Sequence, residues 1–320
     1  MKRVISLFII LITTIFLFGC TKKDSLYKRK GDKIYFGTYP QSLVSDKKLI
    51  DKLNKKAKTP SIDNNWISYK YYIENEVEDF MFYIDIDLNN DESYDYRGVY
   101  FDKYRPSDCI EVSSEAKSYQ DNNGYSTNNV YWFKYEVIEW VILKEDNGKA
   151  LLLSNLIIDS HELYPFFDLG KTDHNNGSGY DNNYELSTIR KWLNDGFYNS
   201  AFNIKEQALI DEIEVDNSIA STDKNAIEYI CNNTIDKVFL LSLTEVMSLV
   251  DMETRTAGVT DYAKIEGVYT ENTNYGYWRL RSPDSCGPTY AWTAMSDGII
   301  RGGTVYTTSF GERPALWINL

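Results

Sequence analysis

Histidine is almost missing from this chain: His161 and His174 are its only two among 320 residues. The stretch "HELYP" that opens at His161 lacks the second histidine, four positions on, that a zinc-protease helix requires. No G-x-S-x-G elbow and no cysteine–histidine pairing is legible either. His161 and His174 share one polar loop with Asp168 and Asp173, and read as two surface histidines rather than a metal set. Cysteine is scarce as well. Cys20, Cys109, Cys231 and Cys286 fit no zinc spacing and cannot make a disulfide-stapled scaffold. Positive charge is in deficit: 34 Lys and Arg stand against 47 Asp and Glu, a net −13. That balance argues against nucleic acid, whose recognition needs a basic footprint. Internal repeats and a clear domain linker are absent. Beyond the first twenty residues there is no long apolar run.

Those first twenty residues, "MKRVISLFIILITTIFLFGC", are of another kind. Lys2 and Arg3 form a basic start, and Ile5 to Phe18 is an apolar run broken only by Ser6, Thr13 and Thr14. This is the pattern of a secretory signal, short for a membrane span. The ending "LFGC" resembles the lipobox of bacterial lipoproteins, with Leu17 at −3, Gly19 at −1 and Cys20 at +1. The resemblance implies cleavage before Cys20, lipidation of its thiol by fatty acyl chains such as palmitate, and a place on the extracytoplasmic face of a bacterial cell membrane. Two acyl chains hold a protein stably on a bilayer. The mature chain then carries −15, because residues 1–19 take Lys2 and Arg3 with them. With Cys20 lipidated, three thiols remain; they allow at most one internal disulfide, and whether it forms is open.

The domain plan is therefore a signal at 1–19, a polar and basic lipidated tether at 20–30, and an exported domain at 31–320. The domain has an N-terminal part at 31–129 and a core motif region at 130–320. Its size permits a substantial core. The 26 tyrosines and seven tryptophans fill a β-rich interior or stack on sugars.

Local signals place the elements. "KIYFGTYPQSLV" (33–44) favours strand and is expected to turn at Pro40. In "DKKLIDKLNKKAK", Leu49, Ile50 and Leu53 share one helical face. Residues 66–88 read as two strands around an acidic turn, and 94–106 as another strand. At 130–159 two apolar runs flank Asn147-Gly148, a tight hairpin signal. Ser187 caps a helix carrying Ile189, Trp192 and Leu193, and Asn203/Glu206 and Ser242/Glu245 have capping-box spacing. The last fifty residues read as short strands joined by glycine turns. In the closing "RPALWINL", Ala315, Trp317 and Asn319 face one way and Leu316 and Ile318 the other, which suits a strand buried on both faces.

One loop invites a cation. In "DIDLNNDESYDYRG", Asp87, Asn89 and Asp91 fall at the first three ligand positions of an EF-hand-type loop, and Asp95 at the ninth. The sixth position is Glu92 instead of glycine, and the twelfth, Gly98, supplies no bidentate acid. Calcium held by these four residues and a plain acidic turn are the alternatives. No other cofactor is indicated.

Seven ordered motifs, "YFGTYPQS", "KYEVIEWVIL…ALLLSNLIID", "STIRKWLNDGFYNSAF", "DKVFLLSLTEV", "TDYAK", "WRLRSP" and "RPALWI", resemble an uncharacterised domain of exported and surface proteins of Firmicutes, which are Gram-positive bacteria. The resemblance runs over about 31–320 and brings no established activity. The last fifty residues are also similar to the end of C-type-lectin-like folds, which include the formylglycine-generating enzymes. That likeness implies an α+β fold, a mixed or antiparallel sheet with flanking helices, and paired N- and C-terminal strands. The cysteine pair on which those enzymes depend has no counterpart here. The lectin-like likeness also implies that Arg281 and Arg313 lie near each other in the closing sheet, stacked on Trp278 or Trp317 and bonded to loop carbonyls, with an anion or carboxylate site as the alternative.

The reading that results is a lipid-anchored, non-catalytic surface module for envelope glycan or a membrane protein, with Tyr290, Trp292 and Tyr306 as the candidate stacking surface. The alternative is an envelope hydrolase acting through carboxylates. The two differ in what a structure should contain: an enzyme needs titratable groups converging on a cleft.

Overall fold

The computed structural model describes residues 26–320 except 60–64, 70, 74–75, 79, 108–118, 162, 164–179 and 271–272. Cys20, Cys109, His174, Asp168 and Asp173 therefore lie outside the described residues.

The fold is α+β, and its antiparallel main sheet is organised by one long strand. That sheet contains β1 (Lys28–Lys30), β2 (Lys33–Leu43), β3 (Ile67–Ser68), β6 (Met81–Ile86), β7 (Tyr96–Phe101), β8 (Val130–Asp146), β9 (Lys149–Ser154), β12 (Val238–Phe239) and β18 (Ala315–Asn319). Lys134 of β8 is partnered by both Ser42 and Tyr96, and Trp140 by both Ile34 and Ser154. Strand β2 thus runs along one edge of β8, while β7 and β9 share the other edge at opposite ends. The turn from β8 to β9 is Asn147-Gly148, with φ of 50° and 77°. These are the positive values that a two-residue hairpin needs and that asparagine and glycine tolerate best.

Smaller sheets surround this one. They are β4 (Tyr71–Ile73) with β5 (Glu76–Glu78), β10 (Ile213–Val215) with β11 (Thr234–Asp236), β13 (Ala257–Gly258) with β14 (Tyr275–Gly276), and a three-stranded sheet of β15 (Trp278–Pro283), β16 (Tyr290–Ala294) and β17 (Ile300–Thr304).

Four expectations are corrected. The first and last long strands share a sheet but do not pair. Strand β18 lies between β9 and β12, and the β8–β9 hairpin separates it from β2. Pro40 does not end β2. It pairs opposite Tyr135, and the register shifts between Pro40 and Ser42, so the missing N–H falls at an irregularity where the ladder can spare it. The tail of the supposed tether is folded too, since Lys28–Lys30 pairs with Lys33–Tyr35. Residues 66–88 hold four short strands, not two.

The helices are α1 (Lys47–Ala57), α2 (Tyr119–Asn122), α3 (Thr188–Trp192), α4 (Tyr198–Ala201), α5 (Ile204–Gln207), α6 (Leu243–Leu249), α7 (Met252–Arg255) and α8 (Asp261–Ile265). Asp46 caps α1 by accepting from the N–H groups of Lys48 and Leu49. Leu53 and Ala57 of α1 are buried with Trp66, Ile86 and Trp132 in a small satellite core, and the Trp132 indole donates to Asn54 at 2.8 Å. Ser187 caps α3, which continues through one π turn at Leu193–Phe197 into α4. Both capping boxes form with their reciprocal bonds. The large core lies between the main sheet and these helices. Ala315, Leu316 and Ile318 are fully buried, as an interior strand requires. No helix among the described residues is long and apolar enough to cross a membrane.

Candidate functional site

Five arginines are buried among the described residues, and four of them hold backbone carbonyls from separate segments. Arg97 forms a two-pronged pair with Asp85 and lies 4.3 Å over the Tyr83 ring. Arg105 donates to the carbonyls of Ser160 and Glu266. Arg279 donates to the carbonyls of His161 and Thr304, and Arg281 to those of Leu240 and Asp216. Arg313 donates to Ser154 at 2.9 Å, Thr254 at 2.7 Å and Asn155 at 3.4 Å. A planar guanidinium with five donors is suited to tying separate carbonyls together. Arg313 stacks on Trp278 at 4.8 Å, as the resemblance implied. Arg281 instead lies over Phe239 and pairs with Glu245, and shares no partner with Arg313.

Around Arg279 is a polar cluster that leaves no mark in the sequence. Asp159 accepts from the Tyr39 hydroxyl and from the Ser160 N–H. The His161 Nε2 is 3.6 Å from the Asp159 carboxylate, and its ring packs on Trp192 at 4.1 Å between centroids. The His161 N–H donates to Glu312, whose other oxygen is 3.8 Å from Arg279. His161 is therefore half-buried in the structure, not a surface histidine. Environment pushes the two acids apart. Burial alone would raise Asp159, but His161, Tyr39 and the Ser160 N–H together hold it below the usual range. Burial raises Glu312 well above its usual value, and neighbouring Asp159 adds to this against the opposing pull of Arg279. Opposed carboxyls can mark catalytic acid and base. Here Glu312 is 0 % and Asp159 2 % exposed, so both are enclosed by protein. Their arrangement can hold a neutral carboxyl beside an ionised one and lock β15 to the segment entering β18.

The open polar surface lies elsewhere. A groove of about 690 Å³ runs between the start of β2, the end of β9 and α7. Its floor carries Lys33, paired with Glu139, which also accepts from Asn155 at 2.8 Å. Its walls bring Asp32, Asp251, Glu253 and Thr254, and the Tyr275 ring, 46 % exposed, stands at one side. Arg313 sits behind it. Two of the carbonyls it binds, Asn155 on one wall and Thr254 on the other, belong to residues that line the groove, and the third, Ser154, precedes Asn155 in the chain. Burial with no carboxylate partner among the bonds above pulls Arg313 down to about 9, so it stays charged at neutral pH.

The sequence candidates fall differently. Tyr290, Trp292 and Tyr306 are half-buried, and Trp292 and Tyr306 pack against the large core. Tyr290 and Trp292 share one face of β16, opposite Thr304 and Gly302. In the acidic loop, Asp87 accepts from the N–H groups of Asn90, Asp91 and Glu92, and Asp95 from those of Leu88 and Asn89. Asp91 accepts from Ser93. Although partial desolvation opposes it, the donors at Glu92, Asn90 and Asp91 lower Asp87 from its usual value. Its carboxylate is thus already serving the turn, and no group of three or more metal-ligating side chains gathers among the described residues. Cys231 and Cys286 are free thiols.

No curated protein and no solved structure matches the chain. Residues 147–320 match the model of one family, described as Domain of unknown function (DUF6273). The matched span is shorter than the run of ordered motifs. It opens in the β8–β9 turn and carries Asp159, Arg279, Arg281, Glu312 and Arg313. The chain belongs to that family.

Proposed function

We propose that this protein is a lipid-anchored, extracytoplasmic binding module of a Gram-positive cell envelope, and that it takes an envelope glycan in the groove behind which Arg313 lies. The observation that carries the reading is the groove's chemistry. Carboxylates, an amide and a threonine hydroxyl line it beside an exposed tyrosine ring. Hydroxyl-rich ligands need many donors and acceptors held in place, and a ring face on which a sugar can stack. Arg313 supplies the rigidity by tying both walls to one buried group, so little ordering cost is left for binding. The two oppositely shifted carboxyls near His161 are enclosed and line neither of the two large grooves among the described residues, which favours a module that binds without turnover. The anchor rests on "LFGC" and on the run before it. The lectin-like resemblance adds no support, since the terminal strands are not paired.

The test is to incubate the mature chain, unmodified or with Tyr275→Ala, with purified peptidoglycan and with teichoic polymers. Reversible retention of the parent, about tenfold weaker in the variant, and unchanged polymer is the expected result. New reducing ends or released muropeptides would replace this reading with the hydrolase. For the anchor, Cys20→Ser is expected to abolish acyl labelling and release the protein from the membrane fraction. Labelling that persists rules the anchor out.

A further inference from the structure

A second groove lies at the opposite chemical extreme. It measures about 600 Å³ and is formed where β1 folds back on β2. Lys28 and Lys30 line it, together with Leu26, Tyr35, Val137 and one acid, Glu206, whose carboxylate is taken up by the Gly37 and Asn203 N–H groups. Strand alternation explains the selection. Lys28 and Lys30 point to one face of β1, while Arg29 between them points away and pairs with Glu145. All three residues of β1 are exposed, Leu26 is 39 % exposed and Val137 53 %. This is a small apolar floor rimmed by ammonium groups, on a chain whose mature form is otherwise strongly acidic.

Its position in the chain gives the second argument. Lys22, Lys23, Lys28, Arg29, Lys30 and Lys33 concentrate six cations in twelve residues, against Asp24 and Asp32. Six residue steps separate Cys20 from Leu26, and fully extended they span about 20 Å. A lipid on Cys20 would therefore hold this groove within about that distance of the bilayer. A body of net charge −15 is repelled overall by an anionic surface, and at physiological salt the field reaches only about 8 Å. Helix α1 carries a second set of exposed lysines, Lys47, Lys48, Lys52, Lys55 and Lys56, but the β1 end is the basic stretch next to the anchor in the chain.

We infer that the β1–β2 groove is a docking face for the anionic headgroup layer of the membrane, and that it fixes the orientation of the domain. Lys28 and Lys30 meet the phosphates, and Leu26 and Val137 enter the interfacial layer. The glycan groove, which borders the same β2 strand at Asp32 and Lys33, is then held at a set height above the bilayer. The inference rests on the lipid-anchor reading for its geometry, so its test removes the lipid.

The mature chain from residue 20, with Cys20→Ser, contains every described element. It is to be sedimented with vesicles of phosphatidylglycerol and, separately, of phosphatidylcholine. Binding to the first and not the second is expected, lost near 1 M salt, where the screening length falls to about 3 Å. Lys28→Glu with Lys30→Glu should weaken it by at least about tenfold, since each basic residue at an anionic surface contributes about fivefold. The control, Lys47→Glu with Lys48→Glu on α1, changes net charge equally at two exposed positions and should have little effect. Equal losses in the two double variants would mean that net charge alone acts, and would overturn the docking face. So would no binding by the parent, or equal binding to both lipids. Acyl labelling of Cys20 in cells reads the anchor separately, so failure of one is distinguishable from failure of the other.

Discussion

The enclosed cluster at Asp159, His161 and Glu312 and the open groove in front of Arg313 are both rich in acids, yet the acids do opposite things. In the cluster, donors from Tyr39, Ser160, His161 and Arg279 turn inward onto the carboxyls. In the groove, Asp251 spends one oxygen on capping α7, accepting from the Thr254 N–H at 2.7 Å, while Glu253 stands at the surface, and otherwise it is the backbone behind them that is tied down. Acidic residues alone therefore distinguish nothing in this chain. What separates a brace from a binding surface is whether the protein has already supplied the partners.

Removing the shared brace breaks the comparison most severely. Arg313→Ala leaves three carbonyls without their donor and a void over Trp278. It should cost about 4 kcal/mol in denaturant unfolding, as expected for loss of a buried charged hydrogen-bonding group and its volume. Glycan retention should fall with it, and Arg313→Met should recover only the packing part. Melting equal to the parent would show that the carbonyls find other partners.

Two glutamates next test the enclosed side with opposite signs. Burial works against the Glu245 carboxylate, but Arg281 and the Ser242 cap hold it below its usual value of 4.5. Its stabilisation is therefore present above that pH and lost in acid. Glu245→Gln should cost about 2 kcal/mol at pH 7, the scale of a charge-assisted bond, and the gap should close as pH falls. Burial raises Glu312 well above 4.5, so its contribution is full below that pH and erodes as pH rises. Glu312→Gln should be within about 1 kcal/mol of the parent at pH 7 and should flatten the stability profile on the alkaline side of 4.5. A profile that keeps its slope in Glu312→Gln would mean that another group carries it.

The mildest change concerns the open side. Tyr275→Ala should alter stability by no more than about 0.5 kcal/mol, as for other exposed positions, while weakening glycan retention. A large loss of stability would assign Tyr275 to the fold and withdraw it from the groove.

The elements were largely legible because their signals are local. The Asn147-Gly148 hairpin, the caps at Ser187, Asn203 and Ser242, and the two-faced apolarity of β18 are written within a few residues of where they act. The fold of the tether's end and the passage of β2 through Pro40 were not. Each depends on a partner strand that lies far away in sequence or on a ladder irregularity that supplies no local mark. The candidate site was less legible still. Tyr290, Trp292 and Tyr306 suit sugars as aromatics do, but aromatics suit cores equally, and burial is decided by what packs above them. Asp159 and Glu312 were invisible among 47 acids, since a pairing across 153 positions has no spacing to read.

By itself, then, the sequence determined the periodic and terminal features: an α+β chain, its turns and caps, an acidic surface and a signal-like start. These follow from side-chain patterns that act over one turn or one strand. The tertiary structure alone decided which acids are enclosed, which arginine braces which loop, and where a polar groove stays open. Those outcomes depend on solvent exclusion and on hydrogen-bond partners drawn from distant segments, and such properties belong to a packed arrangement of residues rather than to their order.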